Sequence, residues 1–202
     1  MNHSLEDLHR FGLKLFVEPG ISLEHRDVIP VFHRWIQTAA LDRLLIDVAD
    51  YTHLVDGPSV LLVGDEGNLS LDTTEHRLGI LCTLKRPRVG TFEERLSGLA
   101  RTLVTACHLL ESDPVFGGRL RFSSNEMLFV SNDRLIAAPG DDSVAALTPA
   151  VRSLMESLYP GKTCDMTASS SKTARLSITI SVREPLPLAT LLERASETTS
   201  NK

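Results

Sequence analysis

Across residues 176–182 apolar and hydroxyl side chains alternate without a break, Leu176, Ile178, Ile180 and Val182 against Ser177, Thr179 and Ser181. Successive side chains of an extended strand point to opposite faces, so this segment requires a sheet with one face on a core and the other in water. Parallel sheets are covered on both faces, whereas antiparallel sheets tolerate a wet face, and the order of the remaining elements agrees with the second kind. Strand, helix, several strands, helix, two strands, helix, strand or strand pair, helix is not the strict alternation of a doubly wound sheet. The chain therefore reads as α+β, a largely antiparallel mixed sheet with three to four helices packed mainly on one face.

Individual elements follow from local patterns. Residues 11–17 form a first strand stopped by Pro19-Gly20. Val28, Val31, Phe32, Trp35 and Ile36 recur at helical spacing, with Asp27 placed to cap and Pro30 in the first turn. The period then changes to two from Leu44 onward, and short strands divided by turn residues continue to Leu84 as an antiparallel meander. Residues 91–110 make the clearest helix: Thr91 and Glu94 have the spacing of a capping box, and Phe92, Leu96, Leu99, Leu103, Cys107 and Leu110 form its apolar stripe. Residues 120–122 and 127–130 read as a hairpin turning through residues 123–126. A helix from about Ser143 to Leu158, capped by Asp142 or Ser143, ends at Pro160-Gly161. Residues 162–172 read as an edge strand with a mobile Ser169-Ser170-Ser171 tip, and residues 187–195 as a short final helix. One domain over residues 1–195 and a disordered tail over residues 196–202 are the expectation.

Composition narrows the functional classes. The chain has 202 residues, 42% of them hydrophobic, enough to bury a full core. Its net charge is -5, with lysines and arginines scattered, which gives no footprint for a nucleic-acid backbone. Its longest apolar runs fall far short of the roughly 20 residues of a membrane span. The start Met1-Asn2-His3-Ser4-Leu5-Glu6-Asp7 lacks the basic and apolar regions of an export signal, so the cytoplasm is the expected compartment. Cys82, Cys107 and Cys164 are widely spaced and odd in number, which fits neither a disulfide framework nor a zinc knuckle. No cofactor is expected.

Candidate site residues concentrate in residues 28–85, where ionisable groups thread through apolar strands. Asp47, Asp50 and His53 have a D-x-x-D-x-x-H spacing that invites a metal reading, yet on a strand residues three apart face opposite sides. The simpler reading pairs Asp47 with Arg43 or Arg34 and gives Asp50 and His53 the turn before Gly57-Pro58. Asp65 and Glu66, between Gly64 and Gly67, suit a ligand-binding loop or a solvated hairpin turn. Asp133 and Arg134 follow an apolar strand, where Arg134 can grip a carboxylate from a substrate or from Asp47 or Asp65. Trp35 anchors a helix in the core or walls a pocket. His76 reads as an exposed turn residue.

The blocks Val31-Phe32-His33-Arg34-Trp35-Ile36-Gln37, Leu45-Ile46-Asp47-Val48-Ala49-Asp50-Tyr51 and Asn132-Asp133-Arg134-Leu135 with Ala138-Pro139 resemble a family of uncharacterised bacterial proteins of about this length. The resemblance implies a bacterial, cytosolic protein and carries over no functional residue. Two functional classes then compete. The first is a non-enzymatic binding or assembly module that engages a protein partner or small ligand through sheet-edge and polar-loop surfaces, with a homodimer expected at an edge formed by residues 175–182. The second is a small acid–base or metal-assisted hydrolase using Asp47, Asp50, His53 and Arg134. Neither needs nucleic acid or a membrane.

Overall fold

A computed structural model describes residues 4–54, 57–169 and 174–200. Eight strands form one open sheet: β1 (Phe11–Val17), β2 (Leu45–Asp50), β3 (Pro58–Gly64), β4 (Gly67–Asp72), β5 (Gly79–Leu84), β6 (Phe122–Ser131), β7 (Cys164–Ala168) and β8 (Ser177–Val182). Their order is β2-β3-β4-β5-β1-β6-β8-β7, and every pairing is antiparallel, so the parallel component implied by a mixed sheet is not present among the described strands. Four helices accompany it: α1 (His25–Thr38), α2 (Phe92–Ser112), α3 (Asp141–Leu158) and α4 (Leu188–Ser200). None is long and apolar enough to cross a membrane.

Alternation places the helices. Phe11, Leu13 and Leu15 of β1, Ile80 and Cys82 of β5, Phe129 of β6 and Ile178 and Ile180 of β8 all join one core with the buried faces of the four helices. The α2 stripe lies against β1 and β5 in the middle of the sheet, with Phe92 tilted on Phe11 at 5.1 Å between ring centroids. Both halves of its capping box are made, Thr91 Oγ1 accepting the Glu94 N–H and Glu94 accepting the Thr91 N–H. Arg95, on the same helix, is buried and donates to the carbonyls of Glu6 and Leu8, which fastens the segment leading into β1.

Several boundaries differ from the sequence reading. α1 begins at His25, and neither Asp27 nor its N-cap Glu24 caps it with a side chain. α3 begins at Asp141 after Gly140, without a side-chain cap from Asp142 or Ser143. Residues 123–126 are not a turn. β6 is continuous, and its pairing with β1 steps from Met127 opposite Leu15 to Ser123 opposite Phe16, so the polar residues form a bulge inside one strand. α4 runs to Ser200, past the expected end at Ala195; residues 201–202 lie outside the described residues, as do Ser170 and Ser171 of the expected mobile tip. β8 is interior, between β6 and β7, so an edge at residues 175–182 is ruled out and the edges are β2 and β7.

The other face carries no helix among the described residues. Phe16, Leu81, Leu128 and Val130 form a small apolar cluster there, centred on β1. Beside it Lys14, 1% exposed, donates to Asp72 Oδ1 and to the Arg77 carbonyl, both at 2.6 Å. Burial holds the Lys14 ammonium below its ordinary pKa, and the Asp72 carboxylate opposes that shift. The lysine reaches β4 by crossing β5 at Gly79, where a Cβ would stand 2.9 Å from Lys14 Cε and 2.3 Å from the Leu15 carbonyl oxygen. Asp72 also accepts the Thr74 N–H and hydroxyl, so the pair locks the turn between β4 and β5 onto β1. Arg77 completes the network: its guanidinium lies 3.7 Å from the Phe16 ring centroid and makes two hydrogen bonds to Glu126 on β6.

Removing one partner of a buried pair strands the other charge. Asp72→Ala is expected to lower unfolding free energy by about 3–5 kcal/mol, and Lys14→Met with Asp72→Asn to recover most of that loss. Urea unfolding checks this; a single-variant loss below about 1 kcal/mol contradicts it.

Candidate functional site

The candidate residues do not converge. β2 and β6 are five strand spacings apart, about 24 Å, so Arg134 beyond β6 cannot join Asp47 and His53 on β2 and its exit. Asp65 lies at the opposite end of β2 from His53, because the Asp65 N–H donates to the Leu44 carbonyl while Tyr51 pairs with Ser59. No group of three or more His, Cys, Asp or Glu side chains able to hold a metal ion exists among the described residues.

Most of these polar groups serve their own loops. Asp65 pairs with Arg86 and Glu66 with Arg88, which binds the β3–β4 hairpin to the segment after β5. Asp133 accepts the N–H groups of Leu135 and Ile136 and folds its own turn. Arg134 is exposed in that turn. Trp35, 4% exposed, packs beside Phe32 in the core. His53 stands 6.2 Å from the Tyr51 ring. The expected partners of Asp47 are engaged elsewhere: Arg34 pairs with Asp113, and Arg43 turns inward to Thr102 and Cys82.

Asp47 and Asp50 instead dress the outer edge of β2. The Tyr51 N–H donates to the Ser59 carbonyl of β3 at 2.8 Å, so the alternating residues Val48, Asp50 and Thr52 turn their N–H groups outward. Asp47 Oδ1 accepts the Val48 N–H and Asp50 Oδ1 accepts the Thr52 N–H, each at 2.8 Å. A bulge at Ile46 further breaks the edge. Strand addition by another chain is thereby blunted.

The side chains of the same edge are apolar and uncovered. Leu44 is 68%, Ile46 52%, Tyr51 39% and Leu54 45% exposed, four of the seven exposed large hydrophobic residues among those described, and all within eleven consecutive positions. The opposite edge differs. On β7, Cys164 and Met166 pack toward the core, while Asp165, exposed, faces Arg183, and Lys162 pairs with Glu184 beside it.

A cleft unforeseen from the sequence lies at the end of β1. It encloses about 460 Å³ between the β6 bulge and the Pro19-Gly20 turn, and Glu18, His76, Arg77, Asn125 and Glu126 line it. A neighbouring hollow of about 610 Å³ shares His76 and adds His25 and Thr73. His76 is exposed, as expected, but has a left-handed backbone, φ 56°, uncommon for a residue other than glycine. Arg77 and Glu126 hold each other, so the cleft offers shape and hydrogen bonding more than an unmatched charge. Lys14, the one charged residue in the run Phe11-Gly12-Leu13-Lys14-Leu15-Phe16-Val17, signals the buried pair beside the cleft and does not line the cleft itself.

No protein-family model matches the chain, and no curated protein shows significant similarity to it.

Hydrogen bonds from Thr52 hold the Asp50 carboxyl below the usual carboxylate range. A carboxyl with a lowered folded pKa adds stability above its unfolded pKa and loses it as pH falls through the folded value. An NMR titration of the Asp50 carboxyl carbon is expected to give a midpoint below the unfolded-peptide value, moved upward in Thr52→Ala; a midpoint at or above that value contradicts the edge geometry.

Proposed function

We propose that the chain is a non-enzymatic binding or assembly module, working in the bacterial cytoplasm that the family resemblance implies, and that it holds a protein partner against the β2 edge. One observation carries this reading: exposed large apolar side chains gather on β2 and its flanks, while the core-facing residues of the sheet are covered by helices. Full burial of such a side chain contributes about 1.5–3 kcal/mol, and because these four are 39–68% exposed, covering what remains adds roughly half of that each in favour of association. Patches of this sort on otherwise polar surfaces mark interaction sites. With the outward N–H groups of Val48 and Thr52 already engaged, the contact relies on side chains more than on extending the sheet. One polar loop plays a supporting part, since Asp65 and Glu66 tie the β3–β4 hairpin beside this edge to the segment after β5.

Site-specific photo-crosslinking in growing cells tests the reading. Benzoylphenylalanine in place of Ile46 is expected to give a discrete protein adduct that disappears when Leu44→Asp is added. The same group in place of Leu135, which is 84% exposed but lies beyond β6, gives none. Equal adducts from both positions, or no adduct from Ile46, contradict the proposal.

A further inference from the structure

Away from the β2 edge, we infer that the cleft at the end of β1 binds a small, uncharged planar heterocycle with adjacent N–H donors, of which guanine is the type. Its two walls are fixed independently of each other. On one side Tyr159, buried at the end of α3, donates its hydroxyl to the Ser124 carbonyl at 2.5 Å and pins the β6 bulge, from which Asn125 and Glu126 line the cleft. On the other, Asp72 and Lys14 hold the turn that carries His76 and Arg77. A cleft shaped by such contacts has little ordering left to do when a ligand enters.

The polar groups in it select the ligand. The Arg77 guanidinium lies over the Phe16 ring and gives its donor edge to Glu126, yet the side chain remains 45% exposed. With one face on Phe16 and that edge on Glu126, the outer face of the guanidinium is what is left to stack a planar ring. The Glu18 N–H still donates to the Arg121 carbonyl past the end of β1, so Glu18 shares the helix-free face with Phe16, about 7 Å along the chain. Glu18 is exposed and makes no ion pair among the described residues. A carboxylate beside a stacking plane accepts two parallel N–H donors from a ring edge, as the N1–H and amino group of guanine provide. Asn125 accepts the Ser123 hydroxyl with Oδ1, which leaves its amide N–H groups for a ring carbonyl.

Charge and size limit the rest. Arg77, already matched by Glu126, is the one lysine or arginine lining the cleft among the described residues, so a phosphate on the ligand would meet Glu18 with no cation to offset it. The volume of about 460 Å³ suits a base, and the hollow of about 610 Å³ beyond His76 has room for an attached sugar beside Thr73 and His25.

Calorimetric titration of the full chain with guanosine, 1-methylguanosine and a single-stranded trinucleotide centred on guanine provides the test. Guanosine is expected to bind saturably, and 1-methylguanosine, which lacks the N1–H, at least fivefold more weakly. Glu18→Gln changes only an exposed side chain; it weakens guanosine at least fivefold and removes the preference over the methylated form. Arg77→Lys, folded by circular dichroism, keeps the charge but loses the plane and weakens both nucleosides, whereas Ile46→Ser changes neither. No saturable binding of guanosine, equal binding of the two nucleosides, or binding indifferent to Glu18→Gln overturns the inference. A trinucleotide that binds more tightly than guanosine assigns the ring to a nucleic acid and overturns the small-ligand assignment.

Discussion

Apolar side chains on alternate residues of eight antiparallel strands leave the helices only one place to lie, and the rest of the molecule follows from that constraint. The α2 stripe covers the central strands, α1 covers β2 and β3, and α3 and α4 pack beside α2. The face without helices must be stabilised by its own side chains. It is held by the Phe16, Leu81, Leu128 and Val130 cluster and by Lys14 with Asp72, whose charges are kept from water and matched to each other. A buried ion pair adds little net stability, but it penalises any pairing that separates its members, and here it links β1 to β4 across a glycine.

An open sheet has two edges, and this chain treats them differently. β7 is short, turns its apolar side chains inward and carries paired charges. β2 keeps two aspartates on its outward amides and a bulge near its start, the devices that discourage uncontrolled strand pairing, yet leaves leucine, isoleucine and tyrosine side chains in water. A strand protected against backbone pairing but apolar in its side chains is suited to a specific side-chain contact. The two aspartates blunt strand addition along this edge.

Local spacing made the fold class, the meander and the α2 capping box legible in the sequence, because each depends on residues close in the chain, and the polar, weakly patterned composition of residues 162–172 marked the β7 edge. What failed depended on distant pairing. The bulge in β6 read as a turn because residues 123–126 are polar, and only their position opposite β1 shows that the strand continues. β8 read as an edge because its hydroxyl face suits water equally well in the middle of a half-covered sheet. The D-x-x-D-x-x-H spacing falls on β2 and its exit, where its two aspartates accept hydrogen bonds from backbone donors next to them, a role set by which way the amides of an edge strand point. The ion pairs of Lys14 and Arg77 were not legible because their partners lie 58 and 49 residues away.

Surface footprinting with a diffusible carbene, compared between the purified chain and the same chain in intact cells, tests the central claim most directly. The account predicts that Leu44, Ile46, Tyr51 and Leu54 are labelled in the purified protein and protected in cells, with Val89 and Leu135 labelled alike in both. Equal labelling of the β2 edge in the two settings would contradict it.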